Sequence, residues 1–328
     1  MLTRHRLYMT VARSAAIVLT GLLTACGGEG DTAPEATDEP ASAVIAEGPA
    51  NALEGASGDV PRRGPALWKV EDDDTTVYLF GTFHALKPGT VWFEGPVREA
   101  YESADEVALE ATDAQDADLM QSLVMRYAVD PDGRRLSEVI GPELTEQLDD
   151  RLAELSIPRA GLEPMEPWMA VMTLAQVQMM ASGFDPTLGV DLALQAAATE
   201  AGKSLVGIEG AEAQLRMLDS FPPARQVAWL AISLRDWDES EGALNDMLAY
   251  WKAGDVPAFG AEMFESMEEV PDLNEVLIVE RNRGFADWIV SRMARPGVVF
   301  VAIGAGHLAG EDSVQNFLRD DGLTPARL

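Results

Sequence analysis

The sequence predicts an α/β domain, a largely parallel mixed sheet with flanking helices and helical insertions. Four short apolar, β-rich runs lie along the chain, at Thr76–Phe80, Val107–Glu110, Ser204–Ile208 and Val298–Ile303. Long stretches of helical character separate them, and each run ends on or just before a residue able to do chemistry. Strands that alternate with helical segments imply crossovers, because parallel neighbours need a long return path that a tight hairpin cannot supply.

The elements follow in order. The folded body is expected to begin near Ala66-Leu67-Trp68, and the first strand runs into Gly81-Thr82-Phe83-His84, a tight turn. Pro96 to Ser103 suits a short helix, so the path to Glu110 reads as a right-handed strand–helix–strand crossover. From Asp116 to Ser182 the pattern is helical, with Pro142 at a helix start, where its missing N–H costs nothing, and Glu143 to Leu155 at helical spacing. Glu166 to Met180 is strongly apolar, and its Met169, Met172, Met179 and Met180 read as core filler. Gly189 to Ala201 reads as a helix closed by Gly202, leading to the third strand and Glu209. The stretch from Ala211 to Phe264 is helical, and Trp229, Trp237 and Trp251 within it read as packing anchors. Asp272 and Glu275 have capping-box spacing and open a helix that runs to about Ala294 and stops at Pro296-Gly297. The fourth strand enters Gly304-Ala305-Gly306-His307, Asp312 to Arg319 is a last helix, and a short extended tail ends the chain.

Composition bounds the function. With 328 residues, 47% hydrophobic and 24% charged, the chain is a soluble globular type with a sizeable core. A net charge of -31 repels nucleic acid and anionic lipid, so no nucleic-acid partner is expected. Residues 1–25 have a basic start, an apolar stretch from Ala15 to Leu23 and small residues before the single cysteine, the marks of a signal peptide too short to span a bilayer as a stable helix. Leu23-Thr24-Ala25-Cys26 resembles the bacterial lipobox, which implies a lipid on Cys26 and a membrane anchor. Gly27 after it points to the outer membrane, facing the periplasm. Loss of Arg4, Arg6 and Arg13 with the signal would take the charge from -31 to -34 and leave His84 and His307 as the only histidines. Residues 26–64, rich in Ala, Gly, Pro and acids, read as a flexible tether, and 66–328 as the folded domain. Nothing in the sequence sets an oligomeric state.

The candidate site gathers strand-end residues: His84, Glu110, Glu209 and His307. In a parallel sheet the carboxyl ends lie along one edge, where open α/β folds bind ligands. Both histidines sit in Gly-x-x-His, after Gly81 and Gly304, where glycine permits a sharp turn and close backbone approach. Histidines with glutamates support a divalent-metal site (Zn, Mn, Co or Fe), a metal-free general base oriented by a glutamate, or a purely structural pair. Arg281 is placed to clamp a carboxylate or an oxyanion, with Asn282 orienting it. Arg283 points about 200° away from Arg281 around the helix, so at most one of the two faces the site.

These pieces together resemble the TraB/GumN family, related to the TIKI metalloproteases and distantly to erythromycin-esterase-like proteins. The matching residues are Tyr78 to Leu86, Val107 to Glu110, Gly189 to Leu192, Gly202-Lys203, Val206 to Glu209, Glu280 to Asn282 and Val301 to Leu308. The resemblance implies an α/β core of two related halves and a site that uses His84, His307 and Glu110 as metal ligands or base. It implies less firmly that Glu209, Arg281 and Asn282 take part. The function expected is a metal-dependent hydrolase, a peptidase acting on a peptide or other small envelope substrate. A non-catalytic peptide-sequestering protein and a metal-free esterase-type hydrolase are the alternatives. Leu86-Lys87-Pro88 departs from the Leu-Pro expected after the first motif and leaves His84 intact.

Overall fold

The structure is a computed structural model that describes residues 64–328 apart from 266, 268 and 271. The signal peptide, Cys26 and the tether up to residue 63 lie outside the described residues. Six strands form one sheet: β1 (Leu67–Glu71), β2 (Thr75–Thr82), β3 (Glu106–Leu109), β4 (Ser204–Gly207), β5 (Gly297–Gly304) and β6 (Ala326–Arg327). Their order is β4-β3-β5-β2-β1-β6. The four strands expected from the sequence are β2 to β5, and they run parallel as consecutive neighbours in the order β4-β3-β5-β2, with β4 at the sheet edge. β1 runs antiparallel to both β2 and β6. The β1–β2 hairpin was not expected. Asp72 closes it by accepting from the Asp74 and Thr75 amides at 3.1 and 2.8 Å, a side-chain-closed turn that replaces the usual Asn-Gly signal. The crossover from β2 to β3 passes over the place that β5 fills, almost 200 residues later in the chain.

Both faces of the sheet are covered, which explains why the central strands are apolar runs without polar alternation. Phe80, Val107, Leu109, Phe300 and Ala302 face a larger cluster. It is shared with α1 (Gly95–Ser103), α2 (Ala117–Tyr127), α3 (Leu136–Glu154), α4 (Pro167–Ala181), α5 (Val190–Glu200), α6 (Ala211–Asp219), α7 (Pro223–Arg235), α8 (Ser240–Ala253) and α9 (Val256–Glu265). Val77, Leu79, Ala108, Val299, Val301 and Ile303 face the other side, against α10 (Glu280–Met293) and α11 (Val314–Asp320). No helix among the described residues is long and apolar enough to cross a membrane.

The insertion helices obey the local rules with two exceptions. Gly202 takes the left-handed conformation, φ 65°, while Lys203 N–H returns to Ala198 O at 2.9 Å, so α5 ends as expected. Pro142 starts the second part of α3 after a kink at Gly141, φ 78°. Met169, Met172 and Met179 are buried as core filler in α4, whereas Met180 is exposed. Trp229, Trp237 and Trp251 are buried. The expected Asp272–Glu275 capping box does not form: Asp272 sits at φ 70°, and its carboxylate instead lies 3.4 Å from Arg225. The helix opens with Leu273 and Asn274 in α geometry and Val276 N–H bonded to Asp272 O at 3.0 Å, then passes through a π-helical segment, Glu275–Val279, into α10. The positive φ of Asp272 departs from the extended conformation an N-cap takes.

Trp251 ties the insertion to the site. Its Nε1–H donates to Gly81 O at 2.8 Å, and its ring packs on Phe80 and Phe83. Trp251→Ala should therefore cost about 3–5 kcal/mol of stability in urea unfolding. Trp251→Phe, which keeps most of the packing and removes the bond, should cost about 1–2 kcal/mol. Equal losses in the two variants would deny the hydrogen bond and the indole volume separate roles.

Candidate active site

Parallel register brings the chemistry together. Thr82 of β2 lies opposite Gly304 of β5, so the two Gly-x-x-His corners leave the sheet side by side. Along the same carboxyl edge β3 ends one residue before Glu110, and β4 ends two before Glu209. The amides of Glu209 and Gly210 both donate to Glu110 O, at 2.9 and 3.1 Å, which locks those two strand ends together.

Gly304 marks the centre. A methyl placed on it would lie 3.2 Å from Glu110 Oε1, 3.4 Å from His84 Nε2 and 3.5 Å from His307 Cδ2. Residues more than 200 positions apart thus face one point. Of the two purposes expected of the glycines, the structure shows the close approach and not the special turn conformation. Neither Gly81 nor Gly304 has a positive φ, so neither is required by backbone conformation. Gly81 lets the other corner approach, since a Cβ there would lie 3.0 Å from Ala305 Cα, and Gly304 leaves the centre open.

Each histidine is held through Nδ1. His84 Nδ1 lies 2.7 Å from Asp191 Oδ2, and Thr82 Oγ1 donates to the other oxygen of Asp191 at 2.8 Å. His307 Nδ1 lies 2.6 Å from Asn282 Oδ1, and Asn282 Nδ2 donates to Asp312 O at 2.7 Å. An amide whose nitrogen is already donating presents an acceptor to the ring. His307 therefore carries its hydrogen on Nδ1, and its Nε2 lone pair faces Glu110 Oε1 at 3.7 Å.

The glutamates share one cation. Arg281 Nη2 donates to Glu110 Oε2 at 2.6 Å and to Glu209 Oε2 at 2.7 Å, while its Nε reaches Glu209 Oε1 at 2.9 Å. Gln214 Nε2 adds bonds of 3.2 and 3.4 Å to Glu110 and Glu209, and the Gly304 amide donates to Glu110 Oε1 at 2.6 Å. Arg281 is thus engaged with the glutamates through Nε and Nη2, where the sequence reading had it assisting a substrate or oxyanion. Asn282 orients His307. Arg283 points outward as expected, toward Glu275 and over the Phe317 ring.

Environment sets the two imidazoles apart. Burial pulls His84 down, but the Asp191 carboxylate, with Glu110 behind it, outweighs that and raises its pKa to about 9. Burial and then Arg281 lower His307 to about 3, because its neutral asparagine partner offers no compensating charge. Burial would raise Glu110, yet Arg281, both histidines and the Gly304 amide hold it well below the usual carboxylate range. Sequence reasoning missed Asp191 and Gln214 as site residues. Asp191 lies within the Gly189–Leu192 stretch that carries the family resemblance, a signal that could have singled it out, although an acid in the first turn of α5 is also explained by the helix dipole. Gln214 sits mid-helix with no signal at all.

A profile of the TraB/PrgY/gumN family matches residues 66–327, nearly the whole described region. The chain belongs to the TraB/PrgY/gumN family. It is 29% identical over 184 residues to YbaP of Escherichia coli K12, a protein described as uncharacterized, covering 56% of this chain and 68% of that one. YbaP of Shigella flexneri matches to the same extent. No solved structure matches at a significant level.

Among the described residues no group of three or more His, Cys, Asp or Glu side chains stands arranged to hold a metal ion. The donor chemistry at Gly304 nevertheless fits one. Two imidazoles and a carboxylate, residue types that ligate divalent ions, surround Gly304, with His307 Nε2 and Glu110 Oε1 3.7 Å apart.

Arg281→Met should cost about 3–5 kcal/mol at neutral pH, because it strands two carboxylates in a buried site. The sign with pH follows from Glu110. A carboxyl held below its unfolded value stabilises the fold above that value, about pH 4.3, and loses the effect as pH falls through the folded value. Urea unfolding of the two proteins should therefore differ most near pH 7 and converge in acid. A gap that stays constant down to the acid limit would show that the loss is one of packing alone.

Proposed function

We propose that this chain is a cell-envelope hydrolase acting on peptide bonds, anchored through a lipid on Cys26. Signal removal at residues 1–25 and a tether over 26–64 would hold the 66–328 domain in the periplasm, beneath the outer membrane. The observation that carries the catalytic reading is the meeting of His84, His307 and Glu110 at Gly304. There His307 Nε2 and Glu110 Oε1, both able to accept or ligate, lie 3.7 Å apart.

A divalent ion (Mn, Co, Zn or Fe) held by His84, His307 and Glu110 would lower the pKa of a bound water toward neutrality and polarise a substrate carbonyl. The chain's own residues prepare that place. Asp191 and Asn282 fix the imidazoles through Nδ1, which leaves His84 Nε2 toward Gly304 and His307 Nε2 toward Glu110 Oε1. Arg281 and Gln214 keep Glu110 ionised and hold its Oε2, leaving Oε1 toward Gly304. Glu209 balances Arg281 and, at 18% side-chain exposure against 7% for Glu110, stands nearer the solvent side. Burial of His307 and Glu110 keeps bulk water from competing with a bound substrate.

One observation favours a metal-free second reading. His84 is raised to about 9 and His307 lowered to about 3, so at neutral pH a protonated acid and a neutral base flank the same point. That pairing would serve esterase-type hydrolysis.

Incubation with a peptide library read by mass spectrometry, with metal analysis of protein purified without chelator, separates these readings. Cleavage that falls at least about a hundredfold in Glu110→Gln and in His307→Ala is expected, with loss on chelation and return on metal addition. Cleavage without stoichiometric metal, unaffected by chelator, would select the acid–base reading. Peptides retained but never cut would make the protein a sequestering one. Cys26→Ser should release the protein from membranes, and continued membrane association would remove the lipid anchor.

A further inference from the structure

We propose that the open edge of β4 binds an extended peptide as a further strand of the sheet and so delivers it to the site. The occupant is an unfolded segment recognised through its backbone, which names a substrate class for the hydrolase reading above. That reading supplies the turnover, while the binding stands on separate observations.

β4 is the last strand on one side of the sheet. It pairs with β3 in parallel, with Leu205 opposite Val107 and Gly207 opposite Leu109. The amides of Ser204 and Ile208 donate toward β3, to Asp105 O at 3.1 Å and Leu109 O at 2.9 Å. Main-chain groups alternate sides along a strand, so Val206 also faces β3, and the N–H and C=O of Leu205 and Gly207 point away from it. Among the described residues neither Leu205 nor Gly207 has a backbone partner on that open side. Ser204 and Gly207 are exposed, so solvent reaches the edge.

Such an edge invites strand addition, and proteins usually blunt it with a proline, a bulge or a charged side chain. Ser204-Leu205-Val206-Gly207 has no proline or charge, and its register with β3 runs without a bulge. Leu205 is half-buried against one core, Val206 and Ile208 against the other, so an added strand meets apolar side chains on both faces.

The opposite edge of the sheet offers less. β6 is two residues long and is separated from β2 by β1. Its Arg327 is already engaged, donating to Gly254 O at 2.9 Å and lying over the Trp68 ring. β4 instead leads directly into the site. Glu209, which shares Arg281 with Glu110, follows Gly207 by two residues, about 7 Å of extended chain. A backbone laid along β4 therefore continues over the carboxyl edge where His84, Glu110 and His307 meet. A second copy of this chain fits less well. Four residues of edge fall far short of the roughly 1,200 Å² that a stable interface buries, whereas a peptide adds the contacts of the site itself.

Fluorescence anisotropy on the full mature chain tests the edge with a labelled octapeptide, Lys-Thr-Val-Thr-Val-Thr-Val-Lys, and with the same peptide N-methylated throughout. The methylated peptide should bind at least about tenfold more weakly. Leu205→Pro removes an outward N–H and no ladder bond, so it should weaken the plain peptide about tenfold relative to Leu205→Ala, which keeps that N–H. In the unsubstituted protein, amide exchange followed by NMR should slow at Leu205 and Gly207 when the plain peptide is bound and stay unchanged at Ser204 and Val206. Equal affinity for the two peptides, no binding of either, or unchanged exchange at Leu205 and Gly207 would overturn the proposal. A dimer in sedimentation whose dissociation frees those two amides would also overturn it, giving the edge to a second copy. Turnover is read separately. Binding with these signatures but without cleavage would remove the hydrolase reading and leave the edge as a peptide-binding one.

Discussion

The in-register parallel pairing of β2 with β5 is the constraint on which the rest depends. It runs from Thr75 opposite Gly297 to Thr82 opposite Gly304, so the two Gly-x-x-His corners begin at the same height on neighbouring strands. A shift of one residue would turn each strand's side chains to the opposite face and separate the corners. The buried runs on both faces forbid such a shift, since Leu79 and Val301 belong to one core and Phe80 and Phe300 to the other. The hydrophobic core therefore sets the relative position of the two imidazoles, and Phe285 of that core packs edge-on against the His307 ring, 5.0 Å between centroids. Gly81 completes the effect by admitting the Ala305 backbone where any side chain would collide.

Around that frame the structure places an expensive group of buried charges. Burying Glu110, with the partly buried Glu209 beside it, would be prohibitive without a cation, and Arg281 supplies one from α10. The pairing is evidence of function more than of stability, because apolar residues of like size would usually hold the fold as well. The π-helical entry to α10 is consistent with that. It sets Arg281 toward the glutamates and Asn282, the next residue, toward His307, so one helix serves both halves of the site. Such segments recur where a helix has been adjusted to aim side chains.

The two histidines share a motif but not an environment. An acid behind one and an amide behind the other polarise them in opposite senses, though both rings reach the same centre at Gly304. The partners come from different insertions: Asp191 from the helix that abuts the first corner, Asn282 from the helix before β5. Gly189 permits the first approach, since a Cβ there would lie 2.3 Å from His84 O. A repeated sequence motif has thus become an asymmetric site through its second layer of contacts.

Much of this was legible in the chain itself. The apolar runs, the Gly-x-x-His corners, Glu110, Glu209 and the helix bearing Arg281 follow from local chemistry, because strand ends and turn residues leave local marks. So does the α/β class. The β1–β2 hairpin was hidden because Asp72 closes it with a side chain. The Asp272 capping box was misleading because Asp272 takes a positive φ, 70°, and not the extended conformation of an N-cap. Strand order, the place of β5 between β2 and β3, and the roles of Asp191, Gln214 and Asn282 came only from the tertiary structure. The reason is physical: local sequence decides what conformation and chemistry a segment offers, whereas partners more than 100 residues away, as Asp191 is from His84, are chosen by how whole layers pack.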